Sequence, residues 1–292
     1  MISELEKELL VKEHLTQSID DESINKIRNI TDLITQTLSQ GNPYDFCQEV
    51  YDFCINSANS LKGGYNPNVF EQKISLLTLA GRAATIASFK MTEEQAKTYW
   101  KEKRISAYET AINMCEKSLH LTYKLETEEN NQLLKDNLKK RIKLEIRLGE
   151  IFEEYDNDDL KAAEYFSKAG RNANLLKNNY CSVFEERIYW TEKWAELKIK
   201  AGEIYEKSNP QLSLIEHFHA SNAYKKLAQI NKDTKSIKKA IESKEKTLEL
   251  IFKYDSKNQS FLEEVIEDIE NLNIMLTNVN EWKTIKKSAH LR

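Results

Sequence analysis

The chain has 292 residues, 40% of them hydrophobic and 31% charged, with 43 Lys+Arg against 47 Asp+Glu and a formal net charge of −4. That balance excludes a general electrostatic affinity for nucleic acid. Only 7 Gly and 3 Pro leave little turn chemistry, so long helices joined by short connections are expected. No run of ~18 apolar residues marks a membrane span, and the N-terminus MISELEKELLVKEHL is amphipathic and charged rather than a signal peptide. Cys47, Cys54, Cys115 and Cys181 form no CxxC pair and read as buried thiols in a reducing compartment, which predicts a cytoplasmic protein.

In chain order, helices are expected over about 3–16 and from Asp20–Asp21 to Gly41. Asn42-Pro43 and Asn66-Pro67 each place an N-cap before a proline at the first helical position. Thr92-Glu-Glu-Gln95 is a capping-box pattern that opens a long helix through Trp100, Ala107, Ala111 and Cys115. A charged break near 126–130 precedes the helix carrying Gly149, and Asn157-Asp158-Asp159 caps the next one. Tyr180 to Glu206 reads as a helix with Trp190, Trp194 and Leu197 on one face. Asn209-Pro210 starts another, Lys232-Asp233-Thr234 separates two more, Ser260-Phe-Leu-Glu263 is a second capping box, and a short last helix is expected near Trp282. No segment shows sustained period-2 alternation. The chain is therefore expected to be all-α, with about twelve antiparallel helices.

A repeat is visible in LGEIFEEYDNDDLKAAEYFSKAG, which supplies Leu148-Gly149-x2-Phe152 and then Ala162-x3-Phe166-x2-Ala169. A second copy reads Ala201-Gly202-x2-Tyr205 and then Leu214-x3-Phe218-x2-Ser221, and a weaker echo joins Leu79-Ala80-Gly81 to Ala107-x3-Ala111. This is the tetratricopeptide (TPR) logic: a glycine on the first helix admits a bulky knob from the second, and small residues flank that knob. The expected architecture is a TPR-like right-handed solenoid of antiparallel helix pairs with a C-terminal helical bundle. It forms one elongated helical domain, with 1–207 the solenoid and 208–292 the bundle.

Catalytic patterns are missing. There is no HExxH, GxSxG, P-loop or GxGxxG, and Asp156–Asp159 reads as a turn and cap rather than a calcium loop. No enzymatic activity, metal or cofactor is expected. His217 and His219 lie two apart on a helix and face away from each other. Charge is locally organised instead. Lys139, Lys143 and Arg147 form an i, i+4, i+8 stripe beside the apolar stripe of Leu138, Ile142 and Ile146, and eight lysines fall between Lys225 and Lys246. Each run is either a solvated face or a basic surface for an acidic partner.

The segment from Lys143 to Phe166 resembles, without a gap, the helix pair of the soluble attachment proteins of membrane fusion, the α-SNAP family. The ending Ala-His-Leu291-Arg292 and the upstream Asn280-Glu281-Trp282 and Ile285-Lys286-Lys287 are similar to that family's C-terminus. The resemblance implies an adaptor that binds a SNARE-type four-helix bundle through a basic face and recruits an AAA+ disassembly ATPase through its tail. Lys143 and Lys161, with Lys139 beside them, would serve the first contact and Leu291 the second. The family's aromatic, glycine-rich membrane loop has no counterpart in Ser18–Asp32, SIDDESINKIRNITD, and the residues around Leu291 are basic where the family's are acidic. The alternative is a TPR-type interaction scaffold or regulator, including a secreted effector mimic, that needs no ATPase.

Overall fold

The computed structural model describes residues 43–61, 67–90, 93–122, 128–155, 158–254 and 259–289. The helices expected over 3–16 and 20–41, and Leu291, lie outside the described residues. Among the described residues the chain is all-α: α1 (Pro43–Ser60), α2 (Pro67–Lys90), α3 (Glu94–Thr122), α4 (Glu128–Tyr155), α5 (Asp159–Asn179), α6 (Phe184–Ser208), α7 (Pro210–Asn231), α8 (Thr234–Tyr254) and α9 (Gln259–Ala289). The short last helix expected near Trp282 is not separate. Helix α9 runs unbroken from Gln259 through Trp282 to Ala289, with no proline or glycine to stop it.

Several helix starts follow the expected chemistry. Asp158 caps α5, its carboxylate accepting from the Lys161 N–H at 3.1 Å. Asn209 caps α7 in the same way at 3.2 Å from the Leu212 N–H, with Pro210 at the first helical position. The α7–α8 junction turns at Lys232, whose φ of 49° is left-handed.

Contacts divide the chain after Asn137, within α4, into two compact units. In the first, α2 packs on α1 and α3. Cys47 and Cys54 lie two turns apart on one fully buried face of α1, and burial pushes their thiols up to about 11 and about 12. They behave as small apolar groups rather than nucleophiles. Tyr51 meets Trp100 edge-on at 5.9 Å, and Asn137 donates to the Ser118 hydroxyl at 2.8 Å in the interior.

The second unit, from Leu138 onward, is a two-layer stack. Consecutive helices pack from α5 through α9, and Phe166 of α5 closes on Gly149 of α4. Ion pairs then join helices two apart. Lys139–Glu186 (2.9 Å) and Lys200–Glu153 tie α4 to α6; Lys239–Glu192 (2.9 Å) and Lys246–Glu206 (3.4 Å) tie α6 to α8. Ser167–Glu216 (2.8 Å) and Lys225–Asp268 do the same for α5 with α7 and α7 with α9. Side chains reach between alternate helices only if α4, α6 and α8 form one layer and α5, α7 and α9 the other. This is the all-α solenoid arrangement of stacked hairpins, in which each pair buries its face on the next.

The glycines mark the close approaches. A Cβ on Gly149 would stand 2.9 Å from Phe166 Cε2 and Cζ, so Phe166 is the knob the repeat implies, flanked by the fully buried Ala162 and Ala169. The second copy is displaced by one residue. Gly202 receives His217, not Phe218, a Cβ there meeting the imidazole at 2.7 Å. The flanking small residues are Ser213 and Ala220, both fully buried, and the Ser213 hydroxyl donates to the Gly202 carbonyl at 2.8 Å. Phe218 turns to the other side and packs edge-on against Phe261 of α9 at 4.6 Å. The α6–α7 junction is two residues shorter than the α4–α5 junction, one residue against three, so the side chain that fills Gly202 lies 15 residues on, where Phe166 lies 17 after Gly149. Gly81 of α2 is filled by Tyr108 of α3.

Gly149→Ala is expected to destabilise the protein by about 1–3 kcal/mol, because the added methyl would force the buried Phe166 ring, set between the fully buried Ala162 and Ala169, to shift. Chemical denaturation reads this directly, and Gly149→Ala combined with Phe166→Leu should recover part of the loss.

Candidate interaction surface

The basic stripe of α4 is built as its spacing implies. Lys143 is exposed and has no ion pair among the described residues, while Lys139 reaches across to Glu186 of α6. Arg147 is held by Glu150 at 2.9 Å. Arg141 turns inward, its Nε 2.9 Å from Glu145, whose two oxygens also accept from the Asn172 side chain at 2.9 and 2.8 Å. Burial pushes the Glu145 carboxyl up, opposed by Arg141 and Asn172.

Lys161 is more than half exposed, salt-bridged to Asp158 at 3.2 Å, with its ammonium 5.1 Å from the Phe152 ring. Phe152 stacks on Tyr165 at 5.6 Å, and Lys168 covers Tyr165 at 4.8 Å. Phe152 follows Lys143 by nine residues, a half-integral number of turns, so Lys161 sits beside the face of α4 opposite Lys143. The structure exposes both lysines but does not converge them.

The Lys225–Lys246 run is not one basic face either. Lys244 is fully buried, 2.7 Å from Asp268 and 2.7 Å from the Asn222 amide oxygen, with its ammonium 4.9 Å from the Phe218 ring. Lys225 shares Asp268, Lys239 binds Glu192, and Lys246 binds Glu206 and Glu249. Half of the eight lysines are thus spent on register between helices. Burial alone would raise the Asp268 carboxyl, but Lys225 and Lys244 outweigh it and hold its pKa below the ordinary value.

A second interior constellation joins three helices. Lys198 of α6 lies 2.6 Å from Glu216 of α7, and Ser167 of α5 donates to the other Glu216 oxygen at 2.8 Å while accepting from Lys198 at 3.2 Å. Lys198 and Glu216 are 3% and 6% exposed. Burial pushes the Lys198 ammonium down, with Glu216 opposing. Sequence reasoning passed over this cluster, although Lys198 stands one turn after Trp194 on an apolar stripe, a place where a lysine needs a partner. Glu216-x-x-His219 has the spacing of a metal-ligand pair, but both carboxylate oxygens are engaged by Ser167 and Lys198. Among the described residues no group of three or more His, Cys, Asp or Glu is placed to hold a metal, and no helix is long and apolar enough to cross a membrane. Exposed apolar side chains collect where α6 begins: Val183 and Phe184 are 54% and 56% exposed.

No family model matches the chain, and no curated protein matches it. Solved structures do. A de novo designed helical repeat protein is 16% identical, with a TM-score of 0.43, over 74% of this chain and all of that one. A circular tandem repeat protein described as having a novel repeat topology is 13% identical, with a TM-score of 0.38, over 91% of this chain and 54% of that one. A self-assembling cyclic homo-oligomer from computational design is 13% identical, with a TM-score of 0.40, over 88% of this chain and 98% of that one. The likeness is one of stacked helices, and none of these proteins assigns a function to this chain.

Proposed function

We propose that the protein is a non-enzymatic interaction scaffold of TPR type, which holds another protein on the solvent-facing sides of its stacked helices. The observation that carries this reading is how the polar groups of the second unit are divided. Lys198, Glu216, Lys244 and Asp268 are buried and fix the helices to one another. Lys143, Phe184 and Tyr189, in contrast, stand exposed on the rigid frame so made. Exposed aromatic and basic side chains on pre-organised helices supply contact area at low ordering cost. The test places a photo-crosslinking amino acid at 143, 184 or 189 in the full chain in cells. Discrete adducts that unlabelled protein competes away are expected, and their absence at all three positions would rule the scaffold out.

The SNAP-like adaptor is the second reading, supported by the Lys143–Phe166 likeness and by the solvent exposure of Lys143 and Lys161. It demands that purified protein bind an assembled SNARE complex, that Lys143→Glu or Lys161→Glu weaken this binding at least about tenfold, and that Leu291→Ala abolish recruitment of the AAA+ ATPase. A protein that ignores the SNARE complex is a scaffold for something else.

A further inference from the structure

The last turn of α5, the first turns of α6 and the last turns of α7 meet at one end of the second unit, since neighbouring helices run antiparallel. Three cations gather there: Lys177 of α5, Arg187 of α6 and Lys226 of α7. The Lys177 ammonium lies 4.8 Å from the Trp194 ring centroid, and the residue is 7% exposed. Of the three lysines buried to this degree among the described residues, Lys198 has Glu216 and Lys244 has Asp268. Lys177 has no carboxylate partner among them. The charges acting on it are both cations, first Lys226 and then Arg187, which add to burial in bringing its pKa down to about 8. Among the described residues, one sequestered lysine, flanked by two exposed basic residues, thus stands without a counter-charge.

We propose that Lys177, Arg187 and Lys226 bind an acidic segment of a protein ligand, whose carboxylates provide the negative charge missing above Trp194. The identity of this occupant as protein rests on the scaffold reading. The surroundings favour a peptide over a bare anion. Val183, Phe184 and Ile230, 54%, 56% and 44% exposed at the same helix ends, offer apolar surface that a small ion would leave uncovered. An acidic residue over the lysine–tryptophan stack, with apolar neighbours along this rim, fits both features. Carboxylate binding would also relieve the mutual repulsion of three like charges, so affinity should fall steeply with salt.

The experiment measures binding of three probes to the full chain by anisotropy and by competition: a labelled octapeptide of alternating Glu and Leu, its Gln/Leu counterpart, and inorganic phosphate. Saturable binding of the Glu/Leu peptide is expected, at least about tenfold tighter than Gln/Leu. Lys177→Met, which keeps the buried stem, and Lys226→Glu, at an exposed position, should each weaken it at least about tenfold. Lys207→Glu, exposed at the opposite end of α6, should leave it unchanged. Should Lys177→Met not fold, Lys226→Glu decides alone. The proposal is overturned by absence of saturable binding, by equal binding of Glu/Leu and Gln/Leu, by indifference to the Lys177 and Lys226 changes, or by phosphate binding that displaces the peptide at equal concentration. A cross-linked partner that Lys177→Met retains would refute this site while leaving the scaffold standing.

Discussion

Replacing Glu216 by alanine is expected to destabilise the protein by about 3–5 kcal/mol. The carboxylate is the counter-ion of Lys198, which is 3% exposed, and the hydrogen-bond acceptor for Ser167 on a third helix. Its removal strands an ammonium with only a hydroxyl beside it, and the aliphatic stem of Lys198 cannot withdraw because it packs on Gly170 at 3.2 Å from where a Cβ would stand. Equilibrium urea unfolding measures the effect. Converting the pair to Lys198→Met with Glu216→Leu should cost far less, and a gain of about 1–4 kcal/mol is within the range for replacing a buried pair by apolar groups. If the single and double changes cost the same, the pair does not act as a unit.

The second large effect is at Asp268. Asp268→Ala leaves two lysines without their shared anion, one of them fully buried, and about 3–5 kcal/mol is again expected. Asp268→Asn separates charge from hydrogen bonding. The pair also fixes a direction for pH dependence. Lys225 and Lys244 hold the folded-state carboxyl below its ordinary value despite burial, so its contribution is fully present above the unfolded carboxylate pKa of about 3.9. That contribution is lost as pH falls through the lower folded-state value. Wild type should therefore lose more stability between neutral pH and the acid range than Asp268→Ala does. Parallel acid-unfolding curves for the two proteins would contradict this.

The features legible in the sequence share one property: each is local. The Asp158 and Asn209 caps, the absence of strands and the Gly149–Phe166 contact depend on residues within about two turns or across one hairpin, where helix geometry fixes which side chains can meet. The Gly202–His217 contact was misread because motif alignment placed Phe218 opposite the glycine, while the shorter junction sets a different rotation. The interior ion pairs are hidden in the sequence for a related reason. A lysine such as Lys244 or Lys198 looks the same in sequence whether it faces water or the next layer, and its partner lies 24 or 18 residues away on a different helix. Lys143 and Lys161 are exposed as expected, but their separation around α4 was hidden because it depends on where the second helix lies against the first.

Zero-length carbodiimide cross-linking followed by peptide mass spectrometry tests the two-layer stack most directly, because it joins only carboxylates and amines already in contact. The structure predicts links Lys139–Glu186, Lys200–Glu153, Lys239–Glu192 and Lys246–Glu206, bridging α4 to α6 and α6 to α8. Links confined to sequence-neighbouring helices, or joining α4 directly to α8, would contradict it.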